Sequence, residues 1–289
     1  MKPIVHTTIE YLDLSSAVCQ ELEDKARAKL ASIYKNSRII KDEVFNILAD
    51  VSVFMQYPIQ DDEICAFICR KHNRVFSFVN SYLPYEKQIF AAAHELYHIW
   101  FDQEILSDGE LLQSEVIDRA LESGPMSERE ARANRFAAIF LVPKDVLRAE
   151  LDYLSVSSGA EPTLAHAVRL MDTFGVPYKT MVRRLYETGY LGSERCMLWL
   201  QMPDRGEKSP ILQLQKRLQI GEELNQRNRV IRFDGLVDNA LSAYEQGSIS
   251  GERLKYLLSL ARKDPQDFDI NMNTILPTEE ELMRIMENE

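Results

Sequence analysis

The chain has 289 residues, of which 45% are hydrophobic and 27% charged, and a formal net charge of −11 at pH 7. This length suits two domains, or one core with a helical appendage. No stretch approaches the ~20 apolar residues of a membrane span, and the first residues lack the apolar core of a signal peptide. We therefore expect a cytoplasmic protein with no membrane partner. The acidic charge argues against DNA as the main partner.

Apolar periodicity predicts the secondary structure before the central motif of the chain. The predicted elements are a helix at 15–35, a helix at 43–50, strands at 64–69 and 75–80, and a helix at 85–101. The two strands are separated by a polar turn, so they form a hairpin directly before the last helix. Pro84 marks the beginning of that helix.

After the motif the chain is predicted to be helical. The predicted helices are 110–122, 127–142, 163–174, 177–188, 211–226, 235–246, 250–262 and a last one beginning at Thr278. A polar stretch with two prolines at 203–210 resembles a linker. We therefore expect a first domain of residues 1–200, with its core at about 40–190, and a helical C-terminal region of residues 210–289.

The predicted helix at 85–101 contains the motif His94-Glu95-x-x-His98. Residues four apart share one face of a helix, so His94 and His98 can bind the same metal ion. Glu95 lies beside them and can take a proton from a bound water. This pattern is typical of zinc peptidases, although so short a motif also arises by chance.

A catalytic zinc ion takes three protein ligands, so the sequence should contain one more. Histidine is scarce: the remaining ones lie in the N-terminal tail, in the hairpin turn and in a remote helix. We therefore expect a carboxylate. The acidic candidates after the motif are Glu115, Asp118, Glu122, Glu128 and Glu130.

Helical phase separates the last two candidates. Glu130 precedes Ala137 by seven residues and shares the apolar face of the helix, whereas Glu128 precedes it by nine and points to solvent. A buried carboxylate needs a cation or a metal ion. Asn134 follows one turn later and could hold the free ring nitrogen of a ligand histidine. The alternative is a capping box, in which the Glu130 side chain binds the backbone of Ser127; the sequence leaves both open.

Three motifs in this order resemble the ImmA/IrrE family of metallo-endopeptidases. They are FAAAHELYH at 90–98, EARANRFAA at 130–138 and LVP at 141–143. The strand ending at Asn80 is also similar, and the resemblance covers about residues 40–190. It implies an α+β, mostly helical fold with a zincin-like core and a small sheet before the active-site helix.

The resemblance also implies the activity and its residues. One zinc ion per chain would be bound by His94, His98 and Glu130, with Glu95 as the general base. Family members typically cut a helix-turn-helix transcriptional repressor in mobile elements, prophages or stress responses, so such a repressor is the expected partner.

Two residues are candidates for substrate binding. Tyr97 stands where the family commonly has glycine, and its hydroxyl could touch substrate. Asn80 ends a hairpin strand whose edge could bind an extended peptide by strand addition.

A second class of function is a DNA- or protein-binding regulator with an inactive peptidase site. The helices at 163–188 have helix-turn-helix spacing, with Arg183 and Arg184 in the second helix. We favour two core helices with solvated arginines over direct DNA binding. The region 210–289 could be a recognition or regulatory domain that docks a partner.

Overall fold

The computed structural model describes residues 14–33, 39–102, 127–156 and 159–270, and the backbone of 111–113. Two compact units divide the chain, the first ending at Val230 and the second beginning at Ile231. This division falls after the helices that follow the expected linker. Ile211 and Leu224 are buried in the hydrophobic core of the first unit, together with the residues around the motif.

Helices form most of the first unit, as the fold class required. In its described part they are α1 Ser16–Ile33, α2 Val44–Val51, α3 Tyr85–Phe101, α4 Glu128–Leu141, α5 Lys144–Tyr153, α6 Leu164–Phe174, α7 Tyr178–Glu187, α8 Ser193–Leu200, α9 Pro210–Leu218 and α10 Glu222–Asn225. A 3-10 turn at Lys41–Glu43 precedes α2. The strands are β1 Val53–Tyr57, β2 Ala66–Lys71, β3 Arg74–Asn80 and β4 Leu111–Gln113. This arrangement confirms an α+β, mostly helical domain with a small sheet before the motif helix.

The strands of the first unit lie in the order β4–β2–β3–β1. The predicted hairpin is present, since β2 and β3 are antiparallel with Ala66 opposite Val79. Strand β1 runs parallel to β3, with Val53 opposite Phe76. Because β1 covers the free side of β3, the prediction that a peptide adds to the β3 edge is wrong.

Strand β4 corrects a second expectation. Residues Leu111–Gln113 pair antiparallel with β2, where a helix at 110–122 was expected. The remainder of that predicted helix lies outside the described residues. Among those residues, β4 forms the outer strand of the sheet beside the hairpin.

Helix α3 lies at the centre of the first unit. It packs against α4, β2 and β3, and its residues from Gln88 to Ile99 are all buried. Three consecutive alanines, 91–93, bring the neighbouring elements close to its backbone. A helix buried on all sides belongs to a core, so any polar side chain on α3 needs a partner inside the protein.

Helices α6 and α7 form the expected pair, and Gly175 between them adopts a left-handed conformation with φ 67°. The arginines of α7 are buried, with Arg184 1% and Arg183 7% exposed. Arg184 donates to the Val142 carbonyl at 2.8 Å and pairs with Glu23 of α1 at 2.8 Å. The expectation of solvated arginines is wrong, and buried arginines offer no contact to DNA.

The second unit is a small helical domain. It contains the short strand β5 Arg232–Phe233, helices α11 Leu236–Glu245 and α12 Gly251–Leu260, and a 3-10 turn at Pro265–Phe268. Its core is formed by Ala240, Leu254 and Leu258. The expected helix from Thr278 lies outside the described residues. A search of the described helices for one long and apolar enough to cross a membrane finds none.

Candidate metal centre

The central feature of α3 is a cluster of three side chains that can ligate a metal. His94 and His98 come from α3 and Glu130 from α4, and their ligand atoms all lie within 4.8 Å of one another. The two Nε2 atoms are 3.1 Å apart, and His94 Nε2 lies 3.1 Å from a Glu130 oxygen. His98 Nε2 lies 3.5 Å from the other Glu130 oxygen. Both histidines are fully buried, and Glu130 is 4% exposed.

Helix α4 begins at a cap formed by Ser127, and its residue Glu130 faces the histidines. The Ser127 hydroxyl accepts a hydrogen bond from the Glu130 backbone N–H at 3.2 Å. The Glu130 carboxylate oxygens lie 3.1 Å from His94 Nε2 and 3.5 Å from His98 Nε2, so this side chain contacts the imidazoles. Glu128 points the other way, and its side chain is 73% exposed.

The outer nitrogen of each histidine is bound by an oxygen. His94 Nδ1 lies 2.9 Å from Asn134 Oδ1, and His98 Nδ1 lies 2.8 Å from a carboxylate oxygen of Asp102. Both oxygens are acceptors, so each Nδ1 carries a hydrogen. In a neutral imidazole the lone pair is then on Nε2, and it faces the centre of the cluster.

This arrangement fits a metal ion. Two ring nitrogens and a carboxylate converge on one point. Two imidazoles and one carboxylate form a known ligand set of catalytic zinc sites. Asp102 was missed in the sequence, although its position four residues after His98 could have indicated it.

The charges of the cluster are strongly coupled. Burial lowers the pKa of His94. Burial also opposes the charge of His98, but hydrogen bonds with Asp102 and Glu130 outweigh it and raise its pKa to about 9. Despite burial, the two histidines hold the pKa of Glu130 well below its usual range. Without a metal, one proton on His98 therefore balances the Glu130 carboxylate at neutral pH.

Glu95 is fully buried beside this cluster. Burial raises the pKa of its carboxyl to about 8, the Glu130 charge adds to the rise, and His98 opposes it. A carboxyl with a pKa near neutrality can both accept and return a proton.

Asn80 does not reach the surface. Its amide nitrogen donates to the carbonyls of Ile59, Asp61 and Ile64 at 2.8–3.0 Å. Its oxygen accepts from the backbone N–H groups of Ile59 and Tyr82, each at 3.0 Å. The prediction that Asn80 binds substrate is wrong, because its side chain is fully buried and holds the loop between β1 and β2.

Tyr97 is also turned inwards, with 2% of its surface exposed. Its hydroxyl accepts a hydrogen bond from Arg132 Nε at 3.2 Å. Its ring and its hydroxyl both contact other residues of the protein, and contact between this hydroxyl and substrate stays a prediction.

An α+β domain with a His-Glu-x-x-His helix and a nearby glutamate defines the class of zincin-like domains. Residues 66–186 match the Peptidase_M78 family, described as the IrrE N-terminal-like domain. All three residues of the cluster and Glu95 lie within this segment. This match supports the resemblance of the sequence to the ImmA/IrrE metallopeptidase family.

Other comparisons add little. No curated protein matches the chain. A solved Mycobacterium tuberculosis transcriptional regulator is 17% identical, with a TM-score of 0.37 over 57% of this chain and 46% of that protein. The chain thus aligns with less than half of that protein, and a likeness at this level supports no conclusion.

Proposed function

We propose that the chain is a zinc-dependent endopeptidase of the ImmA/IrrE type, with one zinc ion held by His94, His98 and Glu130. The observation that supports this most is the convergence of the three ligand atoms within 4.8 Å, each histidine being held from behind by an oxygen acceptor. The match of residues 66–186 to a metallopeptidase family adds to it.

His94, His98 and Glu130 would hold the zinc ion, which would supply a Lewis acid for the peptide carbonyl and a bound water. Glu95 is the proton carrier: as a carboxylate it takes a proton from the attacking water and returns it to the leaving amine. Its pKa of about 8 without metal falls when a cation binds beside it, so the base is ionised in the loaded enzyme. Asn134 and Asp102 keep both imidazoles in the tautomer that offers Nε2.

We propose a helix-turn-helix transcriptional repressor as the substrate, cut at a specific bond. This step rests on the resemblance to the family, whose members typically control mobile elements, prophages or stress responses in this way. Such a substrate works on DNA, so the enzyme would act in the cytoplasm.

Metal content tests the site directly. Elemental analysis of the purified wild type should find about one zinc per chain. The metal should be lost in His98→Ala and Glu130→Ala and kept in Glu128→Ala, because Glu128 is on the exposed face of the same helix. A wild type without zinc after reconstitution would remove the basis of the proposal.

Cleavage tests the substrate. The zinc-loaded protein is incubated with a helix-turn-helix repressor encoded beside it, and the products are identified by mass spectrometry. One defined cut by the wild type and none by Glu95→Gln, which keeps the ligands, is the expected result. Zinc without cleavage of any such repressor would leave a metal-binding regulator, with the second unit as its partner-binding domain.

A further inference from the structure

The side chain next to His98 is connected to a helix outside the segment that matches the family. The Tyr97 ring packs edge-on against the His98 ring, with centroids 5.6 Å apart and planes at 77°. It also contacts the rings of Phe101 and Phe136, each with centroids 5.6 Å away. Tyr97 is therefore in contact with the His98 ring and with two further aromatic rings.

Arg132 fixes the other end of Tyr97. It lies on α4, two residues after Glu130, and its Nε donates to the Tyr97 hydroxyl at 3.2 Å. Its Nη2 binds both carboxylate oxygens of Glu21 on α1, each at 2.8 Å. One guanidinium therefore joins α1, the helix that carries His98 and the helix that carries Glu130.

Helix α1 is seated firmly enough to act as an anchor. Leu22 and Ala26 are at most 1% exposed in the common core. The Lys25 ammonium binds Glu21 at 2.6 Å and lies 4.7 Å from the centre of the Phe101 ring. The residues of α1 precede the matched segment 66–186.

We propose that Tyr97 is a positioning residue for the metal ligand His98, and that Glu21 of α1 acts on it through Arg132. The inference rests on the proposed zinc site. Asp102 holds one edge of the His98 ring by its Nδ1, but a single hydrogen bond leaves the ring plane free to tilt. The Tyr97 ring contacts the His98 ring as a second support, and the Arg132 hydrogen bond holds the Tyr97 hydroxyl.

The alternative is that Arg132 and Glu21 form a surface salt bridge that contributes only to the stability of the fold. The Glu21 side chain is 42% exposed and that of Arg132 21%, and pairs of this kind contribute little to stability. The two readings differ in what they predict. A positioning role changes the affinity and geometry of the bound metal in the folded protein, whereas a purely structural role changes only the melting temperature.

The test uses the full chain and compares Tyr97→Phe, Glu21→Gln and their double variant with Glu128→Gln. Glu128 is the matched control, because it also lies near Arg132, at 3.8 Å, but its side chain is 73% exposed. Zinc affinity is measured by competition with a chelator. Metal geometry is read from the visible spectrum of the cobalt-substituted protein, since cobalt(II) bands respond to the arrangement of the ligands.

We expect Tyr97→Phe and Glu21→Gln each to weaken zinc binding ~3- to 10-fold, below the effect of losing a group bound directly to a ligand. The double variant should be no weaker than the weaker single variant, because both remove the same connection. The cobalt bands should shift in both singles and stay unchanged in Glu128→Gln, whose zinc affinity should remain within ~2-fold of wild type.

Unchanged affinity and cobalt bands in both single variants, with only a lower melting temperature, would overturn the positioning role and leave the zinc site intact. Independent, additive losses would also overturn it. If the wild type binds no metal, the proposed function fails, and this inference fails with it. Should Tyr97→Phe not fold, Glu21→Gln still decides, because that position is partly exposed.

Discussion

The two halves of α3 are equally buried and polar, but their polar groups are bound in different ways. In the first half, Gln88 is fully buried and its amide nitrogen donates to the Leu83 and Ser81 carbonyls at 2.7 and 3.2 Å. In the second half, the Nε2 atoms of the buried His94 and His98 lie 3.1 Å apart, and His94 Nε2 lies 3.1 Å from a Glu130 oxygen. The Gln88 amide is bound by backbone carbonyls, whereas the two histidines and the Glu130 carboxylate face one another and could ligate a metal ion.

The first half of α3 and the residues just before it form hydrogen bonds with a segment that is far away in the sequence. The Gln226 carbonyl accepts from the Tyr85 N–H at 3.0 Å, and Asn228 lies 3.2 Å from the Gln88 amide nitrogen. The Val230 carbonyl accepts from the Ser81 hydroxyl at 2.6 Å. We call residues 226–230 the strap. The comparison teaches that burial of polar residues does not identify a site; the nature of their partners does.

Shortening the chain should remove the contacts that bind the first half of α3 and should unfold the domain. A chain ending at Gln201 loses the strap and the core residues Ile211 and Leu224, each worth ~1.5–3 kcal/mol of burial. We expect no cooperative thermal unfolding by circular dichroism. A chain ending at Val230 keeps all of these contacts and should unfold cooperatively and bind zinc. Equal melting curves for the two shortened chains would contradict this assignment of the strap to the core.

Adding zinc should stabilise the protein only through the second half. At a free zinc concentration ~1,000 times Kd, the free energy of unfolding should rise by ~4 kcal/mol. This gain should vanish in His98→Ala and be retained in Gln88→Ala, as measured by chemical denaturation with and without zinc. A gain that persists in His98→Ala would place the metal elsewhere.

Replacing Gln88 should lower the stability of the protein without changing its zinc affinity. Gln88→Ala leaves buried carbonyls without their donor and opens a small cavity, so the free energy of unfolding should fall by ~2–4 kcal/mol. Zinc affinity of the folded protein should stay close to that of wild type. Gln213→Ala on the exposed face of α9 is the matched control and should change stability by less than ~0.5 kcal/mol. A large loss of zinc affinity in Gln88→Ala would show that the two halves of α3 depend on each other and would contradict this prediction.

The pH dependence of zinc binding should show the smallest effect. The raised pKa of His98, about 9 without metal, means that its proton is bound below that pH and must leave when zinc binds. Affinity should therefore rise up to tenfold per pH unit between pH ~7 and ~9 and level off above. Calorimetry in buffers of different ionisation enthalpy should detect about one proton released from His98 at pH 7.5, in addition to the fraction that Glu95 releases as its pKa falls.

Asp102→Asn provides the control for that experiment. It removes the charge that raises the pKa of His98, so proton release at pH 7.5 should decrease and the affinity should level off at a lower pH. Proton release unchanged in this variant would assign the proton to another group, with Glu95 as the first candidate.

The sequence was sufficient where the controlling interactions are local. Pro84 and the apolar pattern predicted α3 to the residue, Tyr85–Phe101. Helical phase separated the inward Glu130 from the outward Glu128, because both lie in one regular helix. The inward position of Glu130 thus followed from a periodicity of a few turns.

The remainder depended on contacts between distant parts of the chain. Strand β1 was missed, since its parallel pairing with β3 has no local turn to announce it. Asn80 and Tyr97 were predicted to bind substrate because the sequence does not reveal their partners inside the protein. Those partners, such as Arg132, lie in other elements of the chain. The buried state of Arg184 requires Glu23, which lies in α1 and is far from it in sequence.

The complete burial of His94, Glu95 and His98 has a kinetic consequence under the proposed function. A peptide bond must come within ~3 Å of these groups to react, so hydrolysis takes place only from molecules that have opened. If one molecule in a hundred is open, the rate for a casual peptide falls ~100-fold, whereas a substrate that binds the open form raises that fraction. A site that is closed in most molecules would cleave other proteins slowly. Selection of the substrate would then take place at the opening step rather than at bond cleavage.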